Sequence, residues 1–137
     1  MRFQGAQMME KQYVGEQAPL VTPEEFPEWI LFEDQDLLVM NKPGWLVCHP
    51  SKNGPWSSLV GAGKEYCKVD RLYLAGRLDR ETSGVVLLGK TAPAGKAWQR
   101  AVEKREATRT YLAILEGELE KTLGGETHLG NDPDSPV

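Results

Sequence analysis

Residues 83–90, with Gly84 near the start and Val85-Val86-Leu87-Leu88 at the centre, constrain the fold of this chain more than any other stretch. The run is short, continuously apolar and bounded by a glycine turn and a Thr91-Ala92-Pro93 break, which predicts a buried strand. Immediately ahead of it lies a charged loop, Ala75-Gly76-Arg77-Leu78-Asp79-Arg80-Glu81-Thr82-Ser83-Gly84. A strand of this kind therefore sets Asp79 against a core element. Cations within about 4–6 Å of a carboxylate hold it ionised, as a nucleophile must be. Arg77 and Arg80 flank Asp79 in that way, and the same charges also fit a plain salt-bridged turn.

The rest of the chain is read around that strand. Trp29-Ile30-Leu31-Phe32 and Leu37-Leu38-Val39-Met40 are joined by the polar turn Glu33-Asp34-Gln35-Asp36, which predicts two closely connected strands. After the Pro43-Gly44 turn, residues 45–49 are a third strand candidate, ended by Pro50. Ser57 or Ser58 is placed to cap a short helix running toward Tyr66. Pro93 suits the first turn of a helix continuing to about Glu106, with Ala94, Ala97, Trp98, Ala101 and Val102 as its apolar stripe. Lys96, Arg100 and Lys104 share another face of that helix. Residues 109–118 alternate as a strand, with Tyr111, Ala113 and Leu115 on one side. Residues 1–28, with Pro19, Pro23 and Pro27 and few periodic apolar positions, read as an extended or mobile leader, and residues 29–137 as the folded part. The fold class expected is α+β, a mixed, mainly antiparallel sheet with flanking helices.

With 137 residues and 40% apolar content the chain has enough for one modest core. Its apolar runs fall far short of the roughly 20 residues that span a bilayer, and the N-terminus lacks a secretory h-region, so the expected compartment is the cytoplasm. Cys48 and Cys67 have no C-x-x-C spacing and are expected as free thiols. The formal charge of −4 argues superficially against a nucleic-acid partner. Its distribution argues otherwise. Residues 62–111 hold eleven Lys and Arg against six Asp and Glu, and the remainder five against fourteen, so the charged loop lies in the basic part.

Gly76-Arg77-Leu78-Asp79 with Thr82-Ser83-Gly84 and the apolar strand behind it resembles the central motif of the RluA-type pseudouridine synthases, which isomerise uridine within RNA. Leu37-Leu38-Val39-Met40-Asn41-Lys42-Pro43-Gly44 and Leu46-Val47-Cys48-His49-Pro50 resemble that family's Lys-Pro and His-Pro segment, and Arg109-Thr110-Tyr111-Leu112-Ala113 resembles its Lys-x-Tyr strand. Two positions depart from the family pattern. Gly76 stands where a His is usual, and Thr127-His128 echoes a later motif whose arginine, the partner of the catalytic aspartate, does not follow. The chain is accordingly read as the N-terminal part of the family's catalytic domain, an incomplete fold with apolar faces available for self-association.

The resemblance implies an RNA partner, ribosomal or transfer, and a reaction without metal, nucleotide or redox cofactor. The C1′–N1 glycosidic bond breaks and a C1′–C5 bond forms, with Asp79 as the catalytic carboxylate. It implies that Arg77 fills the gap left by an everted base and that Tyr111 lines the uracil pocket. Arg80, Lys96, Arg100 and Lys104 are candidate phosphate contacts. Whether Asp79 attacks the sugar, attacks the base or removes a sugar proton is left open by the string. A non-catalytic RNA-binding module is the alternative, and a glycosidic-bond hydrolase using Asp79 with Glu81 is a more distant one. Cys48 and His49, as neighbours in a strand, point to opposite faces and do not form a nucleophile and base pair.

Overall fold

A computed structural model of the chain describes residues 19–49, 53–118, 121–122 and 124–125. Four strands, β1 (Ile30–Glu33), β2 (Leu37–Lys42), β3 (Tyr73–Leu74) and β4 (Gly84–Gly89), form one sheet in the order β1-β2-β4-β3. Every pairing among them is antiparallel, so the sheet is α+β in context but not mixed in direction. The predicted buried strand lies in the interior of the sheet, paired with β2 along its whole length, Leu37 opposite Gly89 through Lys42 opposite Gly84. Helix α1 (Leu59–Cys67) and helix α2 (Ala92–Glu103) complete the fold.

Strand alternation sorts the side chains between two faces. Leu38, Met40 and Lys42 of β2 share a face with Val86 and Leu88 of β4, and all five are buried. The core on that face is closed by Leu59, Val60 and Ala62 of α1 and by Phe26, Trp29, Leu46 and Leu72. Helix α1 comes very near the core: a side-chain carbon on Gly63 would stand 2.8 Å from Leu72 Cδ1 and 3.4 Å from Phe26 Cζ. The opposite face carries Val85, Leu87 and Gly89, and α2 crosses it where a carbon on Gly89 would meet the Gly95 backbone nitrogen at 2.7 Å. Gly95 in turn lies against the Tyr73 ring, so two glycines permit the crossing.

Local signals account for the helix starts. Ser58 Oγ accepts from the Gly61 N–H at 3.0 Å and Thr91 Oγ1 from the Ala94 N–H at 3.4 Å, each satisfying a donor that the helix itself leaves open. Asp34 Oδ1 accepts from the N–H groups of both Asp36 and Leu37, which closes the β1–β2 turn. Lys90 ties that turn to the end of β4, with Nζ 2.8 Å from Glu33 Oε1 and 2.7 Å from the Asp34 carbonyl.

Four sequence expectations need correction. The folded part begins before Trp29: Val21 and Phe26 are buried in the core, and a 3-10 turn at Phe26–Trp29 is preceded by reciprocal Thr22–Glu25 hydrogen bonds. Residues 45–49 are not a strand but a turn with one parallel bridge, Val47 to Ser58. The reason is that the carbonyls of Val47 and Cys48 accept from the Leu59 and Val60 N–H groups, the open donors at the start of α1, instead of joining a ladder. Residues 109–118 form no strand either, since no described strand lies alongside to pair with them, and Leu112 and Ile114 are fully exposed. Helix α2 stops at Glu103, where Arg105 turns left-handed at φ +58°, and Ala97 of its expected apolar stripe is exposed. His128 and the Thr127-His128 pair lie outside the described residues.

Candidate active site

β3 pairs only with the end of β4, Tyr73 with Gly89 and Leu74 with Leu88. The loop of residues 75–83 must therefore run back beside the start of β4, which carries Asp79 to the sheet end where Lys42 finishes β2. Lys42 occupies the last core-facing position of β2 and is fully buried. Its ammonium has three protons and three acceptors, the carbonyls of Pro43 at 2.9 Å, Leu46 at 2.7 Å and Arg80 at 2.9 Å. Burial pushes this group below its ordinary 10.5, and the nearby Glu81 and Asp79 carboxylates work in the opposite direction.

A second buried residue holds the loop on the other side of the aspartate. The Cys48 thiol donates to the Leu78 carbonyl at 3.3 Å. The backbone is thus pinned at Leu78 and at Arg80, immediately before and after Asp79, while the Thr82 N–H closes a turn on the Asp79 carbonyl at 3.3 Å. Gly44 lets this layer come close: a carbon on it would stand 3.1 Å from the Glu81 carbonyl oxygen. The Asp79 side chain itself is exposed. Among the described residues it makes no ion pair with Arg77, and the cation bound to the backbone of this loop is Lys42.

An open groove of about 820 Å³ lies between the loop, the outer face of β4, Trp98 of α2 and residues 108–112. Its walls include Gly76, Arg77, Glu81, Val85, Arg109 and Tyr111. The structure therefore brings Arg77 and Tyr111 to one cavity. Asp79 stands beside it, between the lining residues Leu78 and Glu81, and does not form part of its wall. Arg80 is half-buried, whereas Lys96, Arg100 and Lys104 are exposed and away from the groove wall. Trp98 presents an indole nitrogen that is buried without a hydrogen-bond partner.

Sequence reasoning missed the anchoring work of Lys42 and Cys48 and the place of Trp98 and Arg109 in the groove. The available signal for Lys42 was its register, two residues after Met40 on the buried face. A pinned, exposed carboxylate beside a groove with two guanidinium groups and an aromatic face is suited to acting on an anionic, flat-ringed substrate.

Comparison with known proteins places the same stretch of sequence in one family. The family described as RNA pseudouridylate synthase matches residues 36–133, which take in the whole of β2, the anchored loop and the groove. An uncharacterized RNA pseudouridine synthase of Mycoplasma pneumoniae, the MG209 homolog, is 38% identical over 104 residues, covering 76% of this chain and 34% of that protein. The ribosomal large subunit pseudouridine synthase D of Yersinia pestis is 38% identical over 107 residues, covering 75% of this chain and 32% of that protein. A solved structure, human RNA pseudouridylate synthase domain containing 4, is 29% identical with a TM-score of 0.47, over 61% of this chain and 32% of that one. The chain thus spans about a third of the length of the curated relatives it matches. On the extent of the family match, with the anchored Asp79 loop inside it, this chain belongs to the RNA pseudouridylate synthase family.

Proposed function

We propose that this chain carries the catalytic loop of an RNA pseudouridine synthase, with Asp79 as its catalytic carboxylate. The observation that supports this most is the double anchoring of the loop, Cys48 on Leu78 and Lys42 on Arg80, which leaves the Asp79 side chain exposed between two half-buried neighbours. Rigid support of that kind is what positioning a reacting group requires. A uridine everted from its strand enters the groove, where the Tyr111 ring takes its face, a contact that contributes about 1–3 kcal/mol. Arg77, on the groove wall, replaces the base in the strand it left. Asp79 then assists an isomerisation in which the C1′–N1 bond breaks, a C1′–C5 bond forms, the C5 proton is lost to water and N1 takes up a proton from water. The atoms balance without a cofactor.

Arg80, Lys96, Arg100 and Lys104 are assigned to phosphates outside the groove. The names of the Yersinia and related proteins specify the large ribosomal subunit, and its RNA is the substrate class we assign, with the cytoplasm as the compartment. Residues 29–137, extended to include Val21 and Phe26, form the N-terminal part of the catalytic domain. Incubation with a large-subunit ribosomal RNA transcript, digestion to nucleosides and chromatography test the reading. Pseudouridine is expected, and it is expected to vanish with Asp79→Asn. Free uracil in its place would overturn the reading in favour of hydrolysis by Asp79 and Glu81.

A second reading, a non-catalytic RNA-binding module, is favoured by the position of Asp79 outside the groove wall. Equal RNA affinity of the wild type and Asp79→Asn, with no pseudouridine from either, selects it.

A further inference from the structure

Gly76 and Arg109 fit together in a way that no other cation in the groove shares. Gly76 has φ +83°, and a side-chain carbon built there would stand 2.6 Å from Arg109 Nη2, 3.0 Å from Cζ and 3.3 Å from Nη1. All three are atoms of the charged head, so the guanidinium occupies the volume that any larger residue at position 76 would fill. The absence of a side chain at 76 thus leaves the space in which the Arg109 head lies. Both residues line the groove, together with Arg77 and Tyr111. Among the described residues the ion pairs do not include Arg109, although Glu81 lines the same groove.

A guanidinium lying in the space over Gly76, without a carboxylate partner among the described residues and facing an open groove, has its fork of N–H donors available for an oxyanion. We propose that Arg109 is a phosphate-binding residue of the groove, seated by Gly76 so that it takes the phosphodiester next to the base that lies on Tyr111. This rests on reading the groove as an RNA site. It differs from the outer cations Lys96, Arg100 and Lys104 in being inside the cavity, and from Arg77 in being located by a glycine.

The test uses the full chain and a short fluorescein-labelled oligouridylate, with affinity read by anisotropy across a salt series. Arg109→Ala is expected to weaken binding about tenfold, the size of one charge-assisted contact. The slope of log K against log salt should become shallower by about 0.7, the value for one phosphate on a single strand. Arg109→Lys should keep the slope and lose part of the affinity, because the charge remains and the fork does not. Gly76→Ala should weaken binding in the wild type and have no further effect on Arg109→Ala. Backbone strain at φ +83° would act equally in both backgrounds, so the cycle separates it from loss of the seat. Arg109→Ala that binds with unchanged affinity and slope overturns the proposal alone, as does an equal Gly76→Ala effect in both backgrounds. No binding by the wild-type chain overturns the RNA reading and this proposal with it.

Discussion

Replacing Lys42 with methionine keeps the reach of the side chain and removes its three donors. The Pro43 carbonyl retains a partner, since it also accepts from the Leu46 N–H at 3.3 Å. The carbonyls of Leu46 and Arg80 lose the ammonium that satisfies them. Leaving the buried Leu46 carbonyl open costs about 1–3 kcal/mol, and loss of the part-buried hydrogen bond to Arg80 adds about 0.5–1.5 kcal/mol. Against this stands the relief of no longer burying an ammonium, the same effect that pushes Lys42 below its ordinary value. A net loss of about 1–3 kcal/mol is therefore expected, a sizeable share of the roughly 5–15 kcal/mol by which domains are stable. Urea unfolding followed by tryptophan fluorescence reads it, with Trp29 and Trp45 in edge contact at 5.8 Å reporting on this core. Amide exchange adds the local part: residues 75–83 should exchange faster even where the rest of the sheet is protected. A Lys42→Met chain within about 0.5 kcal/mol of the wild type, the scatter of ordinary surface changes, with unaltered exchange in the loop, would refute the anchoring argument.

The Glu33, Lys90 and Tyr66 cluster makes stability depend on pH at both ends. The Lys90 hydrogen bond lowers the Glu33 carboxyl from 4.5, so its contribution is complete above that value and is lost as pH falls through the lower folded one. The bond to Glu33 raises Lys90 above 10.5 and the Tyr66 phenol above 10.0, so their contributions are present below those values and are lost as pH rises through the folded ones. Lys90→Met should flatten the acid limb of a plot of urea midpoint against pH, and an unchanged limb contradicts the assignment. Leu112 and Ile114 are fully exposed, and Leu115 largely so, which predicts concentration-dependent self-association in sedimentation velocity that Ile114→Lys reduces. A monodisperse monomer at all concentrations counts against it.

Local signals were the legible ones. The apolar run of β4, the serine cap of α1 and Pro93 in the first turn of α2 each act within a few residues: of Ser57 and Ser58 the second is the cap, Pro93 lies in the first turn, and β4 forms with one face buried and Val85 exposed. The charged loop was recognisable by its string, but what holds it was not. A lysine at the end of an alternating strand reads as solvated, and only tertiary placement gives Lys42 three carbonyls to bind. Residues 45–49 have strand-like composition, yet the open donors of α1 claim their carbonyls first. Pro19, Pro23 and Pro27 with few periodic apolar positions made residues 1–28 read as a leader, and the burial of Val21 and Phe26 depends on Trp56 and α1, far along the chain. The alternation of residues 109–118 predicts a strand that requires a neighbour, and among the described residues none pairs with it. The seat of Arg109 on Gly76 likewise joins distant positions that no local pattern links.

The central claim, that an anchored Asp79 performs uridine isomerisation, is tested most directly by tritium release from RNA labelled at uridine C5. Formation of the C1′–C5 bond expels that hydrogen, so the wild-type chain should release tritium to water in proportion to pseudouridine formed, and Asp79→Asn should release none. Release at an undiminished rate from Asp79→Asn, or no release from a wild-type chain that is folded and binds the RNA, would contradict it.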